Sequence, residues 1–264
     1  MSGQIEIFNE AADDYDSVGV DFFTPFGAAL AEAAAVRPGD RVLDVGCGRG
    51  AVLFPAAAAT GPGGHVTGID LAPRMVELTR TAAAALPHVT VRLGDAQAPA
   101  FPDASFDVIT AGMVLFFLPD PPAALDAYRR LLRPGGRLAF SAAASYDPAF
   151  PQAMKVLAGH AEGPPSPPPG QGPMFENADT LRTAVENAGF ERPRLSRYTV
   201  DSTFRDRRHF VSWAGSHGGR AVVRRIPPQR LEAAIAGLAA VLPEPITLTT
   251  TLHLVVADRP TVAG

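Results

Sequence analysis

The chain is 264 residues long, enough for one α/β domain with a sizeable core and an elaboration on it. Its formal net charge of −4 offers no general attraction to nucleic acid or to an anionic membrane. A single cysteine, Cys47, excludes an internal disulfide and the multi-cysteine zinc frameworks.

No apolar run is long enough to span a bilayer, and the opening MSGQIEIFNE has neither a basic n-region nor an apolar h-region. The expected location is cytoplasmic. Residues 1–35 look helical, AALAEAAA most clearly, and are expected to form a cap ahead of one domain at 36–264. From Val36 to about Ala144, strand and helix signals then alternate. RVLDVG is a short β-branched run ending in glycine, and AVLFPAAAAT has helical composition that GPGG stops. HVTGID reads as a second strand and PRMVELTRTAAAAL as a second helix, with Pro73 suited to its first turn. VTVRLGD is a third strand, and FDVITAGMVLFFL a fourth that is too apolar to have a wet face. PPAALDAYRRLL is a helix closed by RPGG, and RLAFSAAA is the fifth strand.

This alternation predicts an α/β fold, a doubly wound and mostly parallel sheet covered on both faces. Beyond it, GPPSPPPGQGP at 163–173 cannot be regular structure, and TLRTAVENAGF is an amphipathic helix with a glycine stop. HFVSWAG and RLEAAIAGLAAVL read as helices, RLSRYTVDSTF and ITLTTTLHLVVADR as two long strands. Insertions at about 145–180 and 203–243 are expected to cover a substrate. There is no internal repeat.

Gly46, Gly48 and Gly50 end the first strand and permit a tight turn and close backbone approach. Alone they even satisfy a relaxed dinucleotide fingerprint. Asp44, two places ahead, argues otherwise. A pyrophosphate seeks amide N–H groups and a helix N-terminus, and a carboxylate there repels it. A ligand with an ammonium and no phosphate tolerates or prefers that acid. Asp70 ends the second strand where a carboxylate can accept from both ribose hydroxyls, and Asp95 ends the third where it can accept from an adenine amine. Acids ending three successive strands line one crevice at the carboxyl edge of an open sheet.

The ordered set VLDVGCGRG, GIDLAPRM, GDAQAPAFPDASFDVITAGMVLFFLPD and LLRPGGRL resembles the motifs of the class I S-adenosylmethionine-dependent methyltransferases. It is most similar to the small-molecule branch that includes ubiquinone and menaquinone biosynthesis methyltransferases. The resemblance covers roughly residues 12–144, and the closing NAGF, long strand and LHLVVADR suit the family's final antiparallel pair. It implies a Rossmann-like, seven-stranded, mostly parallel sheet with a final antiparallel strand and helical lid insertions. It also implies S-adenosylmethionine as cofactor and methyl transfer to an O, N or C nucleophile of a small, hydrophobic acceptor, with no nucleic-acid or membrane partner.

By the same resemblance Gly46 and Gly48 face the methionine portion, Cys47 fills the loop between them, and Asp44 lies behind. Asp70 holds the ribose, while Leu71 and Met75 pack on adenine. Gly94, Asp95 and Ala96 meet the adenine edge, Ala111 lies beneath the sulfonium, and Tyr15 stands near the cofactor.

Several residues carry plainer readings. Cys47 sits in no proline-cysteine motif, so it is a small filler rather than a nucleophile. Phe116 and Phe117 suit a core, although one of them could face the cofactor. His65, His88 and His253 lie in or beside strands and read as structural. His160, His209, His217, Tyr146 and Tyr198 fall in or beside the elaborations and read as surface rather than catalytic residues. The arginines at 205, 207, 208, 220, 224 and 225 read as a solvated helix face, with an anion-binding lid as the sharper alternative. No His-Asp pair or metal cluster appears, so no general base and no metal is assigned. A non-methylating enzyme on the same fold, such as a cyclase, stays open. An NAD-dependent oxidoreductase is disfavoured by Asp44, Asp95 and the lack of a Tyr-x-x-x-Lys pair.

Overall fold

A computed structural model describes residues 2–15, 18–163 and 172–261. In chain order the elements begin with α1 (Ser2–Ala11), α2 (Phe23–Ala33), β1 (Arg41–Val45), α3 (Leu53–Thr60), β2 (His65–Asp70) and α4 (Pro73–Ala82). Next come β3 (Val89–Leu93), β4 (Phe106–Ala111), α5 (Pro121–Leu131), β5 (Leu132–Tyr146), α6 (Ala149–His160) and α7 (Ala178–Asn187). The chain ends with β6 (Glu191–Phe204), α8 (Arg207–Gly215), α9 (Arg220–Val223), α10 (Pro228–Gly237) and β7 (Ile246–Asp258). Among the described residues no helix is long and apolar enough to cross a membrane.

Seven strands form one sheet in the order β3-β2-β1-β4-β5-β7-β6. The first five are mutually parallel, with Leu43 opposite Thr67 on one side and Ile109 on the other. β7 runs antiparallel to its neighbours: Gly135 N–H donates to the Arg259 carbonyl near one end of β5, and Asp147 N–H to the Thr249 carbonyl near the other. The doubly wound fold expected from the sequence is therefore the fold observed.

The chain forms two compact units, and it passes between them inside β5, β6 and β7. One unit holds residues 23–144, 169–198 and 252–264. Its core lies on both faces of the sheet, because side chains alternate along each strand. Leu43, Val45, Ile109 and Phe140 pack with α5 and α7, whereas Val42, Val66 and Val108 pack with α2 and α3. Covering is incomplete at the two edge strands, β3 and β6: only Val91 of the five residues of β3 is buried, and most of β6 is exposed.

The other unit holds residues 1–22, 145–168 and 199–251. It is built on aromatic packing: Trp213 lies edge-on to Phe22, Phe204 and Phe150, with ring centroids 5.4, 5.1 and 6.1 Å away. Of the expected cap at 1–35, the residues from Phe23 onward, α2 included, group with the sheet unit. Proline-rich residues 164–171 lie outside the described residues, and Pro173–Phe175 form a short 3-10 turn.

Two local expectations are corrected. The fourth strand stops at Ala111 instead of running to Leu118. Met113 turns with φ +54°, its N–H donating to Ser141 Oγ at 2.9 Å, and Leu115–Phe117 form a 3-10 turn. The apolar run continues because Leu115 is buried in the core from this turn. RPGG, expected to close a helix, lies inside β5, where Gly135 at φ +76° pairs with the Arg259 carbonyl.

Candidate active site

β1 leaves the sheet at Val45, and Gly46 turns the chain at φ +64°. A side chain at Gly46 would meet Val114 Cγ2 at 2.4 Å, so that flank of the turn is filled. Gly48, at φ +49°, has open space where a Cβ would stand. The loop is tied down by its neighbours. Cys47 N–H donates to the Ile69 carbonyl at 2.9 Å, Gly48 N–H donates to Asp70 Oδ2 at 2.9 Å, and Thr79 Oγ1 donates to the Gly48 carbonyl at 2.7 Å.

Asp44 lies one residue before the strand's end and is 1% exposed. Its Oδ1 accepts from Thr110 Oγ1 at 2.8 Å, while Oδ2 has no hydrogen-bond partner among the described residues. Burial and the nearby Asp70 charge push its carboxyl up to about 7, against the pull of the Thr110 hydroxyl and the Leu53 amide. Asp70 Oδ1 accepts from Ala72 N–H at 2.9 Å, so both its oxygens already serve backbone amides, each with a second lone pair left. Burial raises the Asp70 carboxyl too, and the Ala72, Gly48 and Leu71 amides pull it back.

All these partners are neutral. Two carboxylates are buried near each other at a glycine turn, and none of the ion pairs found among the described residues involves either of them. A ligand bringing positive charge supplies what is missing, whereas a phosphate would add to the repulsion. Cys47 stands in the same field. Burial, then Asp44 and Asp70, push its thiol well above the usual range, so it is no thiolate nucleophile.

At the end of β3, Asp95 Oδ1 accepts from Gln97 N–H at 2.8 Å. The Gln97 side chain forms a reciprocal pair with the Asp120 backbone at 2.8 and 3.0 Å, and Tyr128 Oη donates to the Ala96 carbonyl at 2.7 Å. Gly94 lies tight against Ile69, and its N–H donates to the Asp70 carbonyl at 3.0 Å. Leu71 is 37% exposed, an apolar side chain left to solvent beside these acids, while Met75 is buried beneath helix α4. Ala111 is wholly buried in the core. Phe116 and Phe117 pack on each other at 4.5 Å, and Phe116 on Phe175. Tyr15 is half-buried and belongs to the other unit, whereas the remaining expected site residues all fall in the sheet unit.

Thr79, Thr110, Ser141, Gln97 and Tyr128 were not singled out from the sequence. One signal was available: Thr79 sits at the spacing of the buried Met75 and Val76 on α4, a polar residue in an apolar stripe.

In the other unit the arginines are engaged. Arg207 pairs with Glu244, Arg208 with Glu232, and Arg220 and Arg224 with Glu10. Arg225 donates to the Ala221 and Gly163 carbonyls. These bonds cross-link the basic stretch within its own unit. His209, expected on the surface, is buried instead, because its Nε2 lies 2.7 Å from the Val18 carbonyl and its Nδ1 accepts from Arg205 N–H at 3.2 Å. His217 donates to the Trp213 carbonyl at 2.6 Å, and burial lowers its imidazole to about 4, so it is neutral near pH 7.

Residues 43–140 match the model of a methyltransferase domain. The chain is 54% identical over 134 residues to nocamycin O-methyltransferase of Saccharothrix syringae, a match covering 50% of this chain and 48% of that protein. It is 36% identical over 204 residues to aklanonic acid methyltransferase DauC of Streptomyces sp. (strain C5), covering 72% of this chain and 93% of that protein. In fold it is similar to the YcgJ protein of Bacillus subtilis, with TM-score 0.61 and 18% identity over 89% of this chain and 98% of that one. The glycine turn, its buried acids and this relatedness agree: the chain belongs to the class I S-adenosylmethionine-dependent methyltransferase family.

Proposed function

We propose that the protein transfers the methyl group of S-adenosylmethionine to an oxygen of a small, hydrophobic, natural-product-like acceptor, in the cytoplasm and without a nucleic-acid partner. The observation that carries the cofactor half is the pair of buried carboxylates, Asp44 and Asp70, at the glycine turn, both raised by burial. The acceptor half is supported by two relatives, a nocamycin O-methyltransferase and an aklanonic acid methyltransferase. Relatedness in sequence, and not in fold alone, is to methyltransferases, so the cyclase-like alternative is not favoured.

The residues present fit the cofactor. Asp44, Gly46 and Gly48 would hold the methionine portion, with Cys47 as filler and Ala111 in the floor below. Asp70 would take the ribose through its remaining lone pairs. Leu71 and Met75 would flank adenine, and Gly94, Asp95 and Ala96 would meet its edge. Bound S-adenosylmethionine supplies an electrophilic methyl on sulfur. The chain's own part is to hold both reactants in line and to keep water out. No side chain is assigned as base. An acceptor hydroxyl acidic enough to ionise near neutral pH releases its proton to solvent before attack and needs no such base.

The test has two stages. Calorimetry should show micromolar binding of S-adenosylmethionine and S-adenosylhomocysteine and no response to NAD. At least one of a panel of small, hydrophobic, hydroxylated acceptors, nocamycin-like and aklanonic-acid-like molecules among them, should then gain one methyl group by mass spectrometry. Tight NAD binding with silence toward S-adenosylmethionine would sink the cofactor assignment. Cofactor binding with no methylation across the panel would sink the acceptor class.

A further inference from the structure

β3 ends the sheet, and an edge strand has a hydrogen-bonded neighbour on one side only. Yet the turn that follows it carries Asp95, the acid assigned to adenine. Such a turn needs a brace from elsewhere if the carboxylate is to stand still. The brace comes from the start of α5 and from its body. Gln97 Nε2 donates to the Asp120 carbonyl, and Asp120 N–H donates back to Gln97 Oε1, across 23 residues of chain. Tyr128 Oη, wholly buried, donates to the Ala96 carbonyl across 32 residues. Gln97 N–H in turn holds Asp95 Oδ1. Burial and the Asp95 charge keep the Tyr128 hydroxyl protonated, so it remains a donor.

We propose that Tyr128 and Gln97 are positioning residues of the adenine subsite: through the Ala96 carbonyl and the Asp120 backbone they hold Asp95 where it accepts from the exocyclic amine. The proposal rests on the reading of Asp95 given above. Neither residue touches the cofactor in this scheme. Their effect is on recognition of one amino group, which separates it from a general loss of packing. Tyr128→Phe keeps the ring in the core and removes only the hydroxyl, leaving a buried carbonyl unpaired. Gln97→Leu acts at a half-exposed site and tests the same brace if the first variant folds poorly.

The experiment compares the intact chain with each variant by calorimetry, using two ligands. One is S-adenosylhomocysteine, and the other is its analogue with unsubstituted purine in place of adenine. The intact chain should prefer the adenine ligand. Each variant should bind S-adenosylhomocysteine about fivefold to tenfold more weakly and the purine analogue less than about twofold more weakly, since the lost bond serves only the amine. Equal weakening of both ligands, or a preference undiminished in both variants, overturns the proposal while leaving Asp95 in place. An intact chain without any preference overturns the adenine reading itself, and the brace with it.

Discussion

Thr110 Oγ1 donates to Asp44 Oδ1 at 2.8 Å between two residues that stand in register on the parallel pair β1–β4. This bond holds one carboxylate oxygen and leaves the other unpartnered inside the protein. A carboxyl so placed, raised to about 7, titrates where enzymes work.

The first prediction follows from its sign. Below about pH 7 Asp44 is neutral in the free chain and must give up its proton to face a cation. Affinity for S-adenosylmethionine should therefore fall as pH drops below 7, approaching about tenfold per unit, with protons released on binding. For the unliganded chain the sense is opposite. The folded form keeps a proton that the unfolded form has lost, so the Asp44 contribution is full below the ordinary carboxylate value and is lost as pH rises through about 7. Asp70, raised as well, adds in the same direction. Asp44→Asn should flatten both profiles. Calorimetry at pH 6 and 8 checks this, and equal dissociation constants would count against it.

Asp70→Ala removes the acceptor of both the Gly48 and the Ala72 amides. Cofactor affinity should fall by about 2–3 kcal/mol, and thermal stability should fall too, because the glycine turn loses its tie. Asp70→Asn keeps one acceptor and should lie between. A folded Asp70→Ala chain with an unchanged dissociation constant would take Asp70 out of the site.

Gly46 and Gly48 should respond differently to alanine. Both sit at positive φ, which costs a side chain about 1–2 kcal/mol. At Gly46 the new methyl also meets Val114 at 2.4 Å, so Gly46→Ala should lower the unfolding midpoint markedly. At Gly48 the methyl enters open space, so Gly48→Ala should spare stability comparatively and weaken cofactor binding. Thermal scans paired with binding curves separate the two, and matching losses would contradict the proposed geometry.

Trp213 is the chain's single tryptophan and lies 4.3 Å from His217, so its emission reports on that unit. Burial depresses His217 to about 4 from the ordinary 6.5. The unfolded chain takes up a proton there that the folded one refuses. Stability from this group is thus present above about pH 6.5 and lost as pH falls toward 4. Between pH 7 and 5 the loss should be about 1–2 kcal/mol. Urea unfolding followed by Trp213 emission measures it, and His217→Asn should remove that part of the slope.

Much of this molecule is readable along the chain because the relevant physics is local. RVLDVG, HVTGID and VTVRLGD announce strands by β-branched runs, and the glycines at 46 and 48 announce a turn that only they can adopt cheaply. Asp44, Asp70 and Asp95 fall at strand ends, so their gathering on one edge follows from parallel register alone. The sequence misleads where an apolar run changes conformation without changing character, as at FDVITAGMVLFFL, since a strand and a 3-10 turn can bury the same side chains.

What the sequence determined by itself is the alternation of elements, the glycine turn and the three acids, all set by neighbours within a few residues. Only the tertiary structure decided which groups those acids meet. Asp70 reaches a glycine amide 22 positions back, Thr110 reaches Asp44 across 66, and Tyr128 reaches Ala96 across 32. It also paired the arginines that looked like a free basic face with Glu10, Glu232 and Glu244. Hydrogen bonds and ion pairs form between groups that packing brings within about 3 Å, and no local pattern of residues encodes that distance.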